Sequence, residues 1–195
     1  MEIRTKQENV RMIVGLGLLT AIVIVLQALA IAIRFGVFNI TFCLVPIIVG
    51  AALYGWKAGA WLGFVFGVVV LLTDAGAFLA VNVPGTIATC ILKGALAGAA
   101  AGIAYRAVAN KNEVAAVIVA GVVSPIVNTG VFLIGTFIFF LDTIKEWAGG
   151  TDVGTFIITS FVGLNFPVEL AINLALSSGI VAIVKLGRKS LASKA

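Results

Sequence analysis

Histidine is absent from all 195 residues. The usual general base, the histidine-paired serine or cysteine nucleophile and the commonest metal ligand are therefore missing together. Charge is scarce as well, with only 11% Asp, Glu, Lys and Arg. Cysteine occurs twice, at Cys43 and Cys90. Both lie inside apolar runs, which fits small buried thiols and offers neither a disulfide framework nor a metal motif. No G-x-x-x-x-G-K-[ST] stretch occurs, so the chain has no P-loop with which to hydrolyse ATP. Ser124, Asp74 and Glu169 show no triad spacing. These absences predict a protein with no catalytic residues, no metal and no cofactor.

What is present is apolar: 62% of the residues are hydrophobic, and the mean hydropathy is +1.21. A single soluble core of this size cannot hide so much apolar surface, so lipid must solvate it. The formal charge of +5 does not point to nucleic acid, because the basic residues come a few at a time at the ends of apolar runs.

At about 20 residues per span, the pattern predicts an all-α integral membrane protein with six transmembrane helices, filling residues 1–195 as a single domain. The runs are 12–33, 40–54, about 58–72, 86 to about 105, 114–141 and 156–184. The first follows Arg4, Lys6 and Arg11 and includes Ala28-Leu-Ala30, a signal-like pattern. Its length exceeds the roughly 7–15 residues of a signal core, which favours a span. Runs two and three are short, and Gly55-Trp-Lys-Ala-Gly59 forms the turn between them. Segments 73–84 and 142–152 read as polar loops. Pro125 and Pro167 interrupt the two long runs, each freeing the carbonyl four residues earlier, at Gly121 and Gly163.

Of thirteen basic residues, ten fall at the N-terminus, the second and fourth connections and the C-terminus. Only Arg34 and Lys145 fall on the alternate side. The positive-inside tendency therefore predicts that both the N- and C-termini are cytoplasmic.

Small residues recur every four positions at Gly17 and Ala21, Ala28 and Ala32, Gly59, Gly63 and Gly67, and Gly94, Gly98 and Gly102. Such ridges let helices approach closely in lipid. The last two sets suit packing within the chain, whereas the set on the first run could form a docking face.

Polar groups within the spans are more telling, since a charge near the bilayer centre costs about 2.5 to 3.5 kcal/mol unless paired or wet. Lys93 lies about 10 Å into the fourth run and Asn128 about 21 Å into the fifth, at 1.5 Å per residue. On the sixth run Asn165, Glu169 and Asn173 recur every fourth residue and share one face. Two readings stand: a Lys93–Glu169 ion pair with amides bridging helices, or a polar site for a small hydrophilic molecule. The second would place Lys93, Asn128, Asn165, Glu169 and Asn173 beneath the loops that carry Asn39 and Asn82.

The stretch from Asn39 to Gly63, with Pro46, Ile47-Ile-Val-Gly-Ala-Ala-Leu-Tyr-Gly55 and the Gly55–Gly59 turn, resembles the substrate-binding S-components of energy-coupling-factor (ECF) transporters. Ile91-Leu-Lys-Gly-Ala-Leu-Ala-Gly98 and Asn165-Phe-Pro-Val-Glu169 are similar to that family too, and the likeness spans about 15–185. It implies a bacterial cell-membrane protein that binds a small water-soluble vitamin from outside. It also implies docking on a transmembrane coupling subunit, with two cytoplasmic ATPase subunits supplying the energy. The family's A-x-x-x-A docking pattern is matched literally by Ala28-Leu-Ala-Ile-Ala32, while Gly17-Leu-Leu-Thr-Ala21 departs from it by starting with glycine. Riboflavin, pantothenate, a pyridoxine-type compound and a queuosine precursor fit the polar groups equally. A self-sufficient carrier or channel is the alternative, although the second half does not repeat residues 12–72.

Overall fold

The structure is a computed structural model and describes residues 2–32, 34–35, 38–39, 42–163 and 165–192. Its helices are α1 (Glu2–Ala32), α2 (Leu44–Tyr54), α3 (Trp56–Thr73), α4 (Gly76–Leu79), α5 (Val83–Ala109), α6 (Glu113–Phe139), α7 (Leu141–Ala148), α8 (Val153–Ile157), α9 (Asn165–Ala175) and α10 (Ser177–Ala192). A π-helical turn, Ile158–Val162, follows α8. Between α1 and α2, Arg34 pairs with Asn39 and Phe35 with Phe38 in a two-residue antiparallel ladder.

Among the described residues, five segments are long and apolar enough to cross a membrane: Asn9–Ala30, Trp56–Thr73, Val83–Ala109, Glu113–Phe139 and Val153–Ala175. The second expected span is the shorter apolar helix α2, of 11 residues. Pro46 falls in its first turn, where no intrahelical N–H is yet needed. Most of α2 is buried, including Leu44, Ile47 and Ile48 at 1% exposure or less. It is the core about which α1, α3, α5, α6 and α10 assemble. Gly55 joins α2 to α3 at φ 91°, a conformation that favours glycine.

The tightest packing follows from the two glycine ridges. A Cβ on Gly59 would fall on the carbonyl oxygen of Gly98, one on Gly63 on that of Gly94, and one on Gly67 on that of Cys90. Partner numbers fall as positions rise, so α3 and α5 run antiparallel with backbone against backbone. Such an approach admits weak Cα–H···O contacts and dense dispersion contacts, the forces that join helices where lipid removes the hydrophobic drive. On its other face α5 meets α6, with Gly135 against Thr89 and Gly85 against Phe139.

Both segments expected to be polar loops contain helix. Within 73–84 lies the single turn α4, and within 142–152 lies most of α7. The α7 helix buries Ile144 and Ala148, one turn apart, and exposes Asp142, Lys145 and Glu146. Lys145 donates to Asp142 at 2.8 Å, and this bond with the lysine charge holds the Asp142 carboxyl below the usual carboxylate range. The sixth run, helix six, comprises α8, the π-helical turn, α9 and the start of α10, and it is broken at Gly163, whose φ is 32°, before α9 begins. At the opposite end, Tyr105 donates to Glu113 at 3.3 Å and Arg188 lies 3.6 Å from the same carboxylate, tying α10 to α5 and α6.

Replacing Gly63 or Gly94 with valine should lower stability by at least about 1–3 kcal/mol, the usual range for overpacking. Gly17→Ala should be neutral or mildly stabilising, because nothing lies within 4 Å of the added Cβ and alanine is the better helix former. Thermal unfolding in detergent checks this, and equal tolerance at Gly17 and Gly63 would contradict the packing.

Candidate functional site

The α5 ridge that faces α6 runs Gly85, Thr89, Lys93, one residue and about 100° away from the glycine ridge that faces α3. Lys93 is therefore turned toward α6 and helix six. Its Nζ lies 5.3 Å from the centre of the Phe132 ring on α6. Lys93 and Glu169 are the two charges that the sequence pattern sets inside the spans. Among the described residues, no direct ion pair joins them within 4.0 Å.

Among the described residues, four buried side-chain oxygens make no hydrogen bond: Thr89 Oγ1, Ser124 Oγ, Asn128 Oδ1 and Glu169 Oε1. They come from three neighbouring helices, α5, α6 and α9. Asn128 is 9% exposed, Glu169 8% and Ser124 0%. An unpaired buried polar group costs about 1–3 kcal/mol, and buried polar groups normally have partners. Ser124 and Asn128 lie one turn apart on α6, whereas Thr89 packs against Gly135, about 10 Å further along α6 from Asn128.

Asn173 has a different task. Its Nδ2 donates to the carbonyl of Gly121 at 3.4 Å, which is the oxygen that Pro125 leaves without an N–H partner in α6. The buried amide thus repairs the proline defect and fastens α9 to α6. Asn82 is also occupied. It is the N-cap of α5 and accepts from the Gly85 N–H at 3.0 Å, as the Asn82-Val-Pro84 sequence allows. The side chains of Asn39, Asn165 and Ala32 lie outside the described residues. Gly17, Ala21 and Ala28 are exposed on one face of α1, whereas Val23, Gln27 and Ala30 on another face are buried.

An aromatic cluster that the sequence pattern did not reveal lies beside Lys93. Phe78 of α4 is its hub, with ring centres 4.9 Å from Phe140, 5.6 Å from Trp147, and 5.9 Å from both Phe132 and Phe161. Phe132 meets Phe161 at 5.8 Å, and Phe156 joins Phe161 at the same distance. The rings bring α4, α7 and the first half of helix six over the end of α6. The local signal was the density of aromatics between 132 and 161, which reads along the chain as ordinary interface anchoring.

Coupling between Pro125 and Asn173 can be measured by a double-mutant cycle. Asn173→Ala should destabilise by about 1–3 kcal/mol by leaving the Gly121 carbonyl unpaired. In a Pro125→Ala background the new N–H reaches that carbonyl, so the loss from Asn173→Ala should shrink by about 0.5 kcal/mol or more. Additive losses would show that the two residues do not share the carbonyl.

The family model described as "ECF transporter, substrate-specific component" matches residues 11–184. No curated protein and no solved structure matches the chain.

Proposed function

Since the chain belongs to the substrate-specific components of ECF transporters, a transport family rather than an enzyme class, we propose that it captures a small water-soluble vitamin at the bacterial cell membrane. It then hands the solute to an ATP-driven coupling module. The observation that carries this reading is the set of four unpaired buried oxygens on α5, α6 and α9, with the Lys93 ammonium alongside. A binding subunit needs polar groups kept dry and unsatisfied until the solute arrives. Lys93, Asn128 and Glu169 are the proposed contacts, with Asn165 and Asn39 as further candidates. Asn82 and Asn173 support the site through the α5 cap and the Gly121 carbonyl.

In this reading α2 counts as the sixth transmembrane helix of a single domain, with both termini cytoplasmic and the site opening outward. The ten-to-two distribution of basic residues supports that orientation. So does the placement of Arg106, Lys111 and Arg188 at the end of the bundle opposite the aromatic cluster. The coupling subunit docks on α1 along Gly17, Ala21 and Ala28, where open space at Gly17 admits another helix.

Purified protein in liposomes should bind the solute that native mass spectrometry finds on it, without accumulating that solute. Accumulation should require the coupling subunit, both ATPases and ATP. Concentrative uptake by this chain alone, with or without an ion gradient, would establish a self-sufficient carrier instead.

A second outcome concerns docking. Gly17→Trp with Ala21→Trp should abolish co-purification with the coupling subunit while leaving solute affinity unchanged. If the complex survives this pair and also Ala28→Trp with Ala32→Trp, α1 is not the docking face.

A further inference from the structure

The polar groups of the site are not interchangeable along its depth. Accepting the substrate-binding role proposed above, we infer that the ligand is a small organic anion, with a carboxylate at the Lys93 end and hydroxyl or amide N–H donors at the Asn128–Glu169 end.

Lys93 is level with Phe132, and contacts between α6 and helix six set the remaining depths. Phe132 meets Phe161, and Gly121 meets Asn173. Asn128 therefore lies about 6 Å below Phe132, and Glu169, one turn from Asn173, about 10 Å below it, at 1.5 Å per residue. The shallow end offers an ammonium, which donates three hydrogen bonds and accepts none. A ring face replaces only part of the hydration that such a cation gives up, and no carboxylate meets it directly among the described residues. The deep end offers Asn128 Oδ1 and Glu169 Oε1, both acceptors without a donor. Ser124, one turn below Asn128, adds a hydroxyl that can serve either way, whereas Thr89 packs against Gly135 above Phe132 and does not reach the deep end.

A cationic solute would set like charges together at Lys93. A solute without donors would leave the deep oxygens unpaired. An anionic head with a donor-bearing tail satisfies both ends, and the aromatic rings around Phe132 exclude water that would screen the charge. Among the four compounds named above, pantothenate has this polarity: a carboxylate at one end, with an amide N–H and two hydroxyls toward the other.

The test compares pantothenate with panthenol, in which a hydroxymethyl group replaces the carboxylate, by calorimetry on the full chain in nanodiscs. Riboflavin and pyridoxine serve as neutral competitors. Pantothenate should bind at least about tenfold more tightly than panthenol. Lys93→Met should erase that preference and Lys93→Arg should retain part of it. Asn128→Leu should weaken both compounds by a similar factor. Equal affinity for pantothenate and panthenol overturns the assignment without any reliance on a variant. Binding of riboflavin or pyridoxine but not pantothenate, or a co-purifying solute that is neutral or cationic, also overturns it while leaving the capture role intact. If none of the four compounds binds and no solute co-purifies, the capture role fails as well.

Discussion

The contact between α3 and α5 is the constraint from which the rest of the arrangement follows. Gly59 faces Gly98 and Gly63 faces Gly94, while Gly67 lies against the Cys90 carbonyl and Gly102 against Trp56, so the two backbones meet with no Cβ at these glycines between them. A Cβ at any of these glycines would collide with the facing backbone, and lipid makes close packing the main source of helix association. The seam fixes the rotation of α5 about its axis. With Gly94, Gly98 and Gly102 held against α3, the neighbouring ridge of Gly85, Thr89 and Lys93 must face α6. A lysine that would be untenable against lipid is thereby directed inward by the rotation that the glycine seam imposes on α5.

The two intramembrane prolines resolve the same defect in different ways. In α6, Pro125 leaves the helix continuous, because Asn173 supplies the missing donor to Gly121. In helix six, Pro167 lies within the first turn of α9, just after the break at Gly163. There it occupies a place where its missing N–H is not needed. The break lets the α9 face that carries Glu169 and Asn173 be set independently of the aromatic π-helical turn above it. One side of the broken helix can then contribute rings to the cap while the other contributes polar groups to the interior.

Much of this was legible from residue spacing. Four-residue glycine spacing identified α3 and α5 as close-packing helices, and the seam joins those two ridges to each other. The stripe on helix six placed Glu169 and Asn173 on a common face, and both are buried. What spacing could not provide was the partner of each polar group. Asn173 and Asn128 have the same chemistry and both are buried, yet one meets a carbonyl freed by a proline 48 positions earlier, while the oxygen of the other meets nothing. Asn82 is a different case, since its cap role was readable from the proline two residues later. The α7 helix was obscured because Asp142, Lys145 and Glu146 give it a loop-like composition, and only the one-turn spacing of Ile144 and Ala148 marks its buried side. The aromatic cluster was hidden for a topological reason: its rings come from α4, α6, α7, α8 and the π-helical turn, and no local pattern predicts their convergence.

The α1 helix poses the remaining question of why a helix mostly exposed along its length should carry small residues outward. Its inward line, Val23, Gln27 and Ala30, is buried, and Cys43 reaches Gln27 at 3.5 Å. Gly15 sits against the Tyr54 hydroxyl, so close packing inside the subunit uses Gly15 rather than Gly17. Elsewhere the exposed surface carries bulky groups such as Ile13, Val14, Leu18 and Val25, which suit contact with lipid chains. Gly17 and Ala21 interrupt that covering together, and Ala28 does so two turns further on, beyond the exposed Ile24. Against lipid alone a shallow groove gains nothing, because fluid chains fill grooves and ridges alike. Against a second helix the groove permits close approach and the associated dispersion contacts. In the proposed function the small residues on the exposed face of α1 are the docking line, and they lie on a different helix from the proposed polar contacts on α5, α6 and α9.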